Sequence, residues 1–434
     1  MSERNRVLIT GVGVVSPLGN REEFWRRLTA GETATRRLVP SERDCEFWPE
    51  DSSGAVAVPS EDLTGTLSAY SRSDILPLLT EPAIAHALAA TLEALADAKL
   101  HLDTTGRIVA ERERVGCVIG TSKGGVRTLH EILLAKRCRC PEPLARHRKS
   151  EADAWWPMIA PSGPAAAVST LLGTRGPLLS PVAACATGLM SLVRAAELIE
   201  SGACDVVIAG SSDASLAPSI IASFRKLGVL SKQHDKPESA IRPFDKNRDG
   251  FYVGEGAGVF VLESEDHARQ RRATPYAEWL AGGNVADTFA MTKLSDDPES
   301  LTWLIGDVLK RSNLEPGDID YLSLHGTATR MNDVCEMRAV NRSFGNARHE
   351  LAGSSIKGAI GHLLGAAGSV EFAAMLLAMR DSLLPPTANL ETPEDSFDIN
   401  LVANKAQRRT VRHAMKLSLG FGGHLVAATV RTTG

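Results

Sequence analysis

Short apolar runs rich in β-branched residues recur along this chain, and amphipathic helical patterns separate them. "RVLITGVGVV" (6–15) and "RVGCVIGT" (114–121) run into glycine-bearing turns. "DVVIAGSSDA" (205–214), "GAGVFVLES" (256–264) and "IDYLSLHGTAT" (319–329) behave likewise, each reading as a buried strand. "EPAIAHALAATLEALADAKL" (81–100) instead places apolar residues at helical spacing, with charges on the opposite face. Strands alternating with helices predict a layered α/β fold. At 434 residues the chain exceeds one simple core, so two domains or one large fused layered domain is expected. A faint repeat points the same way. "ACATGLMSLVRAAELIESG" (184–202) and "GHLLGAAGSVEFAAMLLAMRD" (361–381) are each a Gly/Ala-rich turn followed by an amphipathic helix. Two similar halves, 1–270 and 271–434, would suit the length.

Composition removes several function classes. A formal net charge of −4 gives no electrostatic case for non-specific nucleic-acid binding. No run of 18 or more apolar residues appears, so no transmembrane helix is expected. The apolar run near the N-terminus is broken by glycines and leads into Pro17, as a first strand would, without the features of a signal peptide. The seven cysteines are odd in number and irregularly spaced, which argues for a reducing, cytoplasmic setting over a disulfide framework. Cys138 and Cys140 form a lone C-x-C without a second ligand pair, so no metal site is assigned. Residues 134–156 and 231–250 are irregular and polar and read as excursions from the core.

Four stretches carry chemistry-bearing residues. Cys185 in "PVAACATGLM" lies between a strand-like segment and a helical pattern, hence near a helix N-terminus, where unpaired N–H groups and the helix dipole favour a thiolate. The alternative is a buried small hydrophobe, the commoner fate of a free cysteine. His325 ends an apolar strand in "LHGTATRMND", a position where α/β folds bind ligands, although a lone strand-end histidine is more often structural. Thr327 and Thr329 follow it, two residues apart and so on one side of an extended loop. Lys357 and His362 sit in the small, apolar "SSIKGAIGHLLGAAGSVE", which would bury no ammonium without a partner; Glu371 is the candidate. "LSLGFGGHLVAATV" (417–430) is a strand broken by glycines that permit close approach to a ligand. A thiolate, two histidines and a lysine are the set a decarboxylating Claisen condensation needs: a cysteine to take an acyl group and N–H donors to hold an enolate.

In these contexts the chain resembles the β-ketoacyl-(acyl-carrier-protein) synthases of the elongating type, within the thiolase superfamily. Five blocks carry the resemblance in order: "VLITGVGVVSPLG", "ACATG", "RPFDKNRDGFYVGEGAG", "HGTATRMND" with "KGAIGHLLGAAGSVE", and "LGFGG". The resemblance implies a five-layered αβαβα thiolase-like fold of two halves, usually a homodimer. It implies that Cys185 is acylated, that His325 and His362 support malonyl decarboxylation, and that Lys357, paired with Glu371, orders the site. Thr327 and Thr329 would hold the phosphopantetheine arm. Phe421, flanked by Gly420 and Gly422, would gate the acyl chain, and the N–H groups of Cys185 and Phe421 would form the oxyanion hole. No metal or organic cofactor is implied; the substrates ride on an acyl carrier protein.

The departures from that family point to a specialised lipid or polyketide pathway. Thr187 replaces a serine, Arg330 a proline and Ala290 a histidine, and "GFGGHL" ends in His424 and Leu425 where threonine and asparagine are usual. The basic pair used for carrier docking falls on Leu78 and Leu79; Arg146, Arg148, Lys149 and Arg248 are the alternative basic face. A non-catalytic partner subunit would have lost the cysteine, so that reading is disfavoured. An active half of a heterodimer stays open. A thiolase acting on CoA esters would need a second cysteine near the C-terminus, whereas the last one here is Cys335.

Overall fold

Glycines at alternate positions of the first strand, β1 (Val7–Ser16), let a helix lie directly on it. A Cβ at Gly13 would run into the Ala90 carbonyl, and one at Gly11 into that of Ala94. Both alanines belong to α1 (Pro82–Ala98), whose Ala90, Ala94 and Ala98 stack at four-residue spacing on one face. The same helix completes the strand's hydrogen bonding: Val12 N–H donates to Asp97 (2.9 Å) and Val14 N–H to Glu93 (2.7 Å). The computed structural model describes residues 5–36, 55–56, 75–137, 155–233 and 235–433.

The remaining main strands are β2 (Val115–Gly120), β3 (Leu178–Leu179), β4 (Val206–Asp213), β5 (Gly256–Ser264), β6 (Ala277–Ala286), β7 (Tyr321–Ser323), β8 (Ala352–Ser354), β9 (Asn400–Leu401), β10 (His413–Gly420) and β11 (His424–Thr432). They lie in one mixed sheet in the order β9-β8-β7-β10-β11-β6-β1-β5-β4-β2-β3. The order β1-β5-β4-β2-β3 is repeated by β6-β11-β10-β7-β8. The senses repeat too: two antiparallel pairings from the first strand outward, then two parallel ones. The two sets join where Val7–Ile9 of β1 pairs with Ala277–Trp279 of β6.

Two helices occupy equivalent places, α3 (Thr187–Glu200) and α6 (Ala367–Asp381), and they pack on each other between the two sets of strands. Their contact is close: a Cβ at Gly188 would run into Ser369 N, and one at Gly368 would lie 2.8 Å from Leu189 N. Outside, α1 covers β1, β5 and β4, while α4 (Glu299–Arg311) covers β6 and β11 and packs on α5 (Arg330–Phe344). The layers are therefore αβαβα, as expected. Three apolar clusters match them, one under α1, one around α3 and α6, and one under α4 and α5.

The strand-like segment before Cys185 is shorter than its sequence implies. Only Leu178 and Leu179 pair with β2, because Pro181 follows and the chain turns toward α3. Among the described residues no helix is long and apolar enough to cross a membrane.

Candidate active site

Cys185 sits in a tight 3₁₀ turn, Ala184–Ala186, that runs straight into α3. The turn is held in an uncommon shape, with Ala184 left-handed at φ 47°. Thr187 braces it: its hydroxyl accepts from Ala183 N–H (2.9 Å) and donates to Ala184 O (2.7 Å). Its methyl fills the space above Gly120. The Thr187 departure thus faces its own turn and does not line the cavity. Gly420, the last residue of β10, closes against the turn; a Cβ there would lie 2.6 Å from Ala183 O and 3.2 Å from Cys185 N. The backbone N–H groups of Cys185 and of Phe421, the residue after Gly420, lie on the two sides of this contact. Neither donates to an acceptor among the described residues.

His325 follows β7 and is fixed through its backbone. Its N–H and that of Gly326 donate to the two oxygens of Glu336 on α5, at 2.5 and 2.8 Å. Lys357 donates to the His325 carbonyl, to Glu371, and to His325 Nδ1 at 3.3 Å. An ammonium has no lone pair, so Nδ1 is the acceptor and Nε2 carries the proton. His362 is anchored by a bridge to the glycine-rich block: its N–H donates to Tyr252 O and its carbonyl accepts from Gly254 N–H, both at 2.9 Å. The His325 and His362 rings meet edge to face, 5.6 Å between centroids, and Phe251 packs edge-on to His362 at 4.8 Å.

Glu371 is the hub beneath the histidines. It pairs with Lys357 and, at 2.6 Å, with Lys416 on β10. All three are buried. Lys416 also donates to the carbonyls of Ser323, Leu324 and Leu417. Neither Lys416 nor Glu336 stood out in the sequence reading. Lys416 carried the same signal as Lys357, an ammonium in an apolar run. Glu336 had only its spacing from Asp333 on one helix face.

Cys185, His325 and His362 share one cavity of about 600 Å³, whose walls include Thr327, Thr329 and Phe421. The two threonine hydroxyls hydrogen-bond to each other at 2.9 Å, and Thr329 also caps α5. Gly420 and Gly422 border the cavity beside Phe421, which stacks on Phe224. The exposed cations Lys226, Lys232, Lys293 and Arg330 ring its mouth.

Arg248 does not belong to a docking face. It is only 3% exposed, pairs with Asp333 (3.5 Å) and Glu394 (2.7 Å), and lies over the Phe397 ring. Its burial under those acids ties "RPFDKNRDG" to "HGTATRMND". Arg146, Arg148 and Lys149, like Cys138 and Cys140, lie outside the described residues.

Burial sets the charge states. It pushes the Cys185 thiol up to about 11, against the pull of the Lys123 and Lys357 ammonium groups. The resting group is therefore the thiol, and the dipole-favoured thiolate expected at the helix start is outweighed by desolvation. His325 and His362 are driven well below the usual imidazole range, first by burial and then by Lys357. Both are neutral at working pH, the state in which an imidazole N–H is a donor without charge. Since the thiol titrates high, alkylation of Cys185 by iodoacetamide should rise about tenfold per pH unit from pH 7 to 9. Peptide mapping of the labelled cysteine checks this; a plateau below pH 8 would contradict it.

The family models "Beta-ketoacyl synthase, N-terminal domain" and "Beta-ketoacyl synthase, C-terminal domain" match residues 4–268 and 276–391. The chain is 34% identical to "3-oxoacyl-[acyl-carrier-protein] synthase 2" of Coxiella burnetii, with 97% of both chains covered. It is 35% identical to "Actinorhodin polyketide putative beta-ketoacyl synthase 1" of Streptomyces coelicolor, covering 99% of this chain and 89% of that one. Among solved structures, a beta-ketoacyl synthase from Burkholderia phymatum superposes with a TM-score of 0.87 at 28% identity, covering 99% of this chain and 100% of that one. The ishigamide ketosynthase/chain length factor does so at 0.84 and 27%, with the same coverage. By sequence along its whole length and by fold, the chain belongs to the beta-ketoacyl synthase family of condensing enzymes.

Proposed function

We propose that this enzyme joins an acyl group to a malonyl thioester by decarboxylative Claisen condensation. Cys185 attacks the acyl thioester of a carrier protein, its sulfur bonding to the carbonyl carbon as the carrier thiol leaves with the proton. The malonyl thioester then loses CO₂. The electron pair of the broken C–C bond becomes an enolate, held by the Nε2–H of His325 and by His362. The enolate carbon attacks the acyl-Cys185 carbonyl, whose oxyanion the N–H groups of Cys185 and Phe421 receive, and collapse expels the cysteine thiolate. Lys357 and Glu371 position His325. Thr327 and Thr329 line the route of the phosphopantetheine arm, and Phe421, with Gly420 and Gly422, gates the acyl chain. The thioester supplies the activation, so the reaction calls on no cofactor beyond the arm carried by the partner.

One observation carries the reading: a cysteine and two neutral imidazoles on the wall of a single cavity, one imidazole with its Nδ1 held by Lys357. Cys185→Ala should abolish acyl-enzyme formation, read by intact-protein mass spectrometry. His325→Ala and His362→Ala should lose malonyl decarboxylation by about 10² or more while Cys185 is still acylated. Unchanged CO₂ release from both histidine variants would refute their role.

Carrier docking falls to the cations around the mouth rather than to Arg248. One relative is by name a 3-oxoacyl-[acyl-carrier-protein] synthase, and one similar solved structure is a type II PKS acyl-carrier protein in complex with its ketosynthase (TM-score 0.83, 27% identity). Lys226→Glu with Arg330→Glu should raise KM for carrier-bound substrate several-fold and leave KM for a free pantetheine thioester unmoved, as steady-state kinetics would show.

The chain divides into two halves near residue 270, a reading supported by the repeated strand order. A homodimer is supported by β3, the end strand of the sheet, whose Leu178 and Leu179 are exposed beside Val182. The likeness to a ketosynthase/chain length factor favours a heterodimer as the second reading. Leu178→Asp should convert a dimer of either kind into monomer in analytical ultracentrifugation; a variant still dimeric would remove β3 from the interface. The mix of relatives and the residues Arg330, Ala290 and His424 support a specialised lipid or polyketide pathway. Among the described residues Cys117, Cys185, Cys204 and Cys335 are free and buried, which fits a cytoplasmic setting.

A further inference from the structure

Lys123 is a cation that the condensing mechanism does not use. It follows β2 in "GTSKGG" and is 26% exposed. Its ammonium donates to Ser122 Oγ (2.6 Å) and Ser215 Oγ (3.1 Å). Both serine hydroxyl protons are committed to Asp213, so both oxygens face Lys123 as acceptors. The Asp213 carboxylate lies 4.0 Å from the ammonium, beyond hydrogen-bond range, and is filled by those hydroxyls and by the N–H groups of Ser122 and Gly365. An ammonium has three protons. The third has no acceptor among the described residues.

That proton belongs to a group set behind the aromatic wall of the cavity that holds Cys185, where Phe224 stands between it and Phe421. Lys123 lies over the Phe224 ring, 5.9 Å from its centroid. Phe224 stacks on Phe421 at 6.3 Å and meets Phe251 at 5.9 Å, and Phe251 abuts His362. The aromatic wall beside Cys185 thus ends in a cation. Of the charges acting on Cys185, that of Lys123 is the strongest, ahead of Lys357.

We infer that Lys123 is a specificity residue that donates a hydrogen bond to an oxygen on the first carbons of the acyl group bound to Cys185, selecting β-oxygenated over plain saturated chains. A saturated chain would leave this donor desolvated and unpaired, which is costly. The neighbouring Asp213 opposes a carboxylate, so the favoured group is a neutral keto or hydroxyl oxygen.

The inference rests on acylation of Cys185, and the test separates the two. Wild type is offered butyryl-, 3-hydroxybutyryl- and acetoacetyl-pantetheine, and acyl-enzyme formation is timed by intact mass. The oxygenated thioesters should react faster than butyryl, and Lys123→Met should cut that ratio roughly tenfold or more. Lys123→Gln, which keeps an N–H donor, should retain part of it. An unchanged ratio in Lys123→Met, or an equal loss for all three thioesters, would overturn the inference and leave Lys123 as a group acting on the thiol. Absence of acylation by any thioester in wild type would sink the condensing reading itself.

Discussion

Two buried ammonium groups share one carboxylate beneath the candidate active site, and the placement of the histidines above rests on that arrangement. Glu371 stands between Lys357 and Lys416. Buried ions are tolerated where each is paired and its remaining hydrogen-bonding capacity is met. Here backbone carbonyls do the rest: that of His325 for Lys357, and those of Ser323, Leu324 and Leu417 for Lys416. The carbonyls come from the ends of β7 and β10, so the ionic cluster also fixes where those strands release the chain. Two positive charges against one negative leave a positive field over His325 and His362. That field adds to desolvation in keeping both rings neutral.

The repeated topology creates two equivalent strand–turn–helix corners, and the difference between them fits the proposal that the one at Cys185 reacts. Before α3, left-handed Ala184 precedes Cys185; before α6, left-handed Leu364 precedes Gly365. Opposite the first corner, β10 ends in Gly420, which has no side chain and leaves the turn's N–H groups open. Opposite the second, the equivalent strand β4 ends in Asp213, whose carboxylate accepts from Gly365 N–H at 3.1 Å. One corner is an open anion cradle and the other is filled by the protein's own carboxylate. The close contact of Gly188 and Gly368 between α3 and α6 brings both corners into one site.

The sequence made the strands and the central helices legible because their periods are strong and their ends carry glycine. It exposed Lys357, His362 and Glu371 because polar groups in an apolar stretch demand partners. Lys416 gave the same signal and was passed over because its strand was weighed only for its glycines. Arg248 misled because a charge in a turn-rich block looks solvated, and only the fold shows Asp333 and Glu394 closing over it. Lys123 in a serine–glycine loop has the pattern of any surface turn. The cations of the cavity mouth come from segments near residues 226–232, 293 and 330, so no local pattern could have joined them.

In the condensation proposed above, the burial that keeps Cys185 a thiol would also favour the carbon–carbon step. A malonyl carboxylate entering the cavity leaves water for walls whose imidazoles are neutral. The charge of Lys357 is already engaged by Glu371 and the His325 carbonyl. Loss of CO₂ would remove the charge of that carboxylate. In the proposed reaction the charge that replaces it, on the enolate oxygen, would fall beside the neutral imidazoles of the cavity wall. Protonated histidines would reverse the balance by holding the carboxylate as an ion pair. Neutrality of His325 and His362, imposed by burial and by Lys357, is thus what would separate, in the proposed reaction, stabilising the product of decarboxylation from stabilising its substrate.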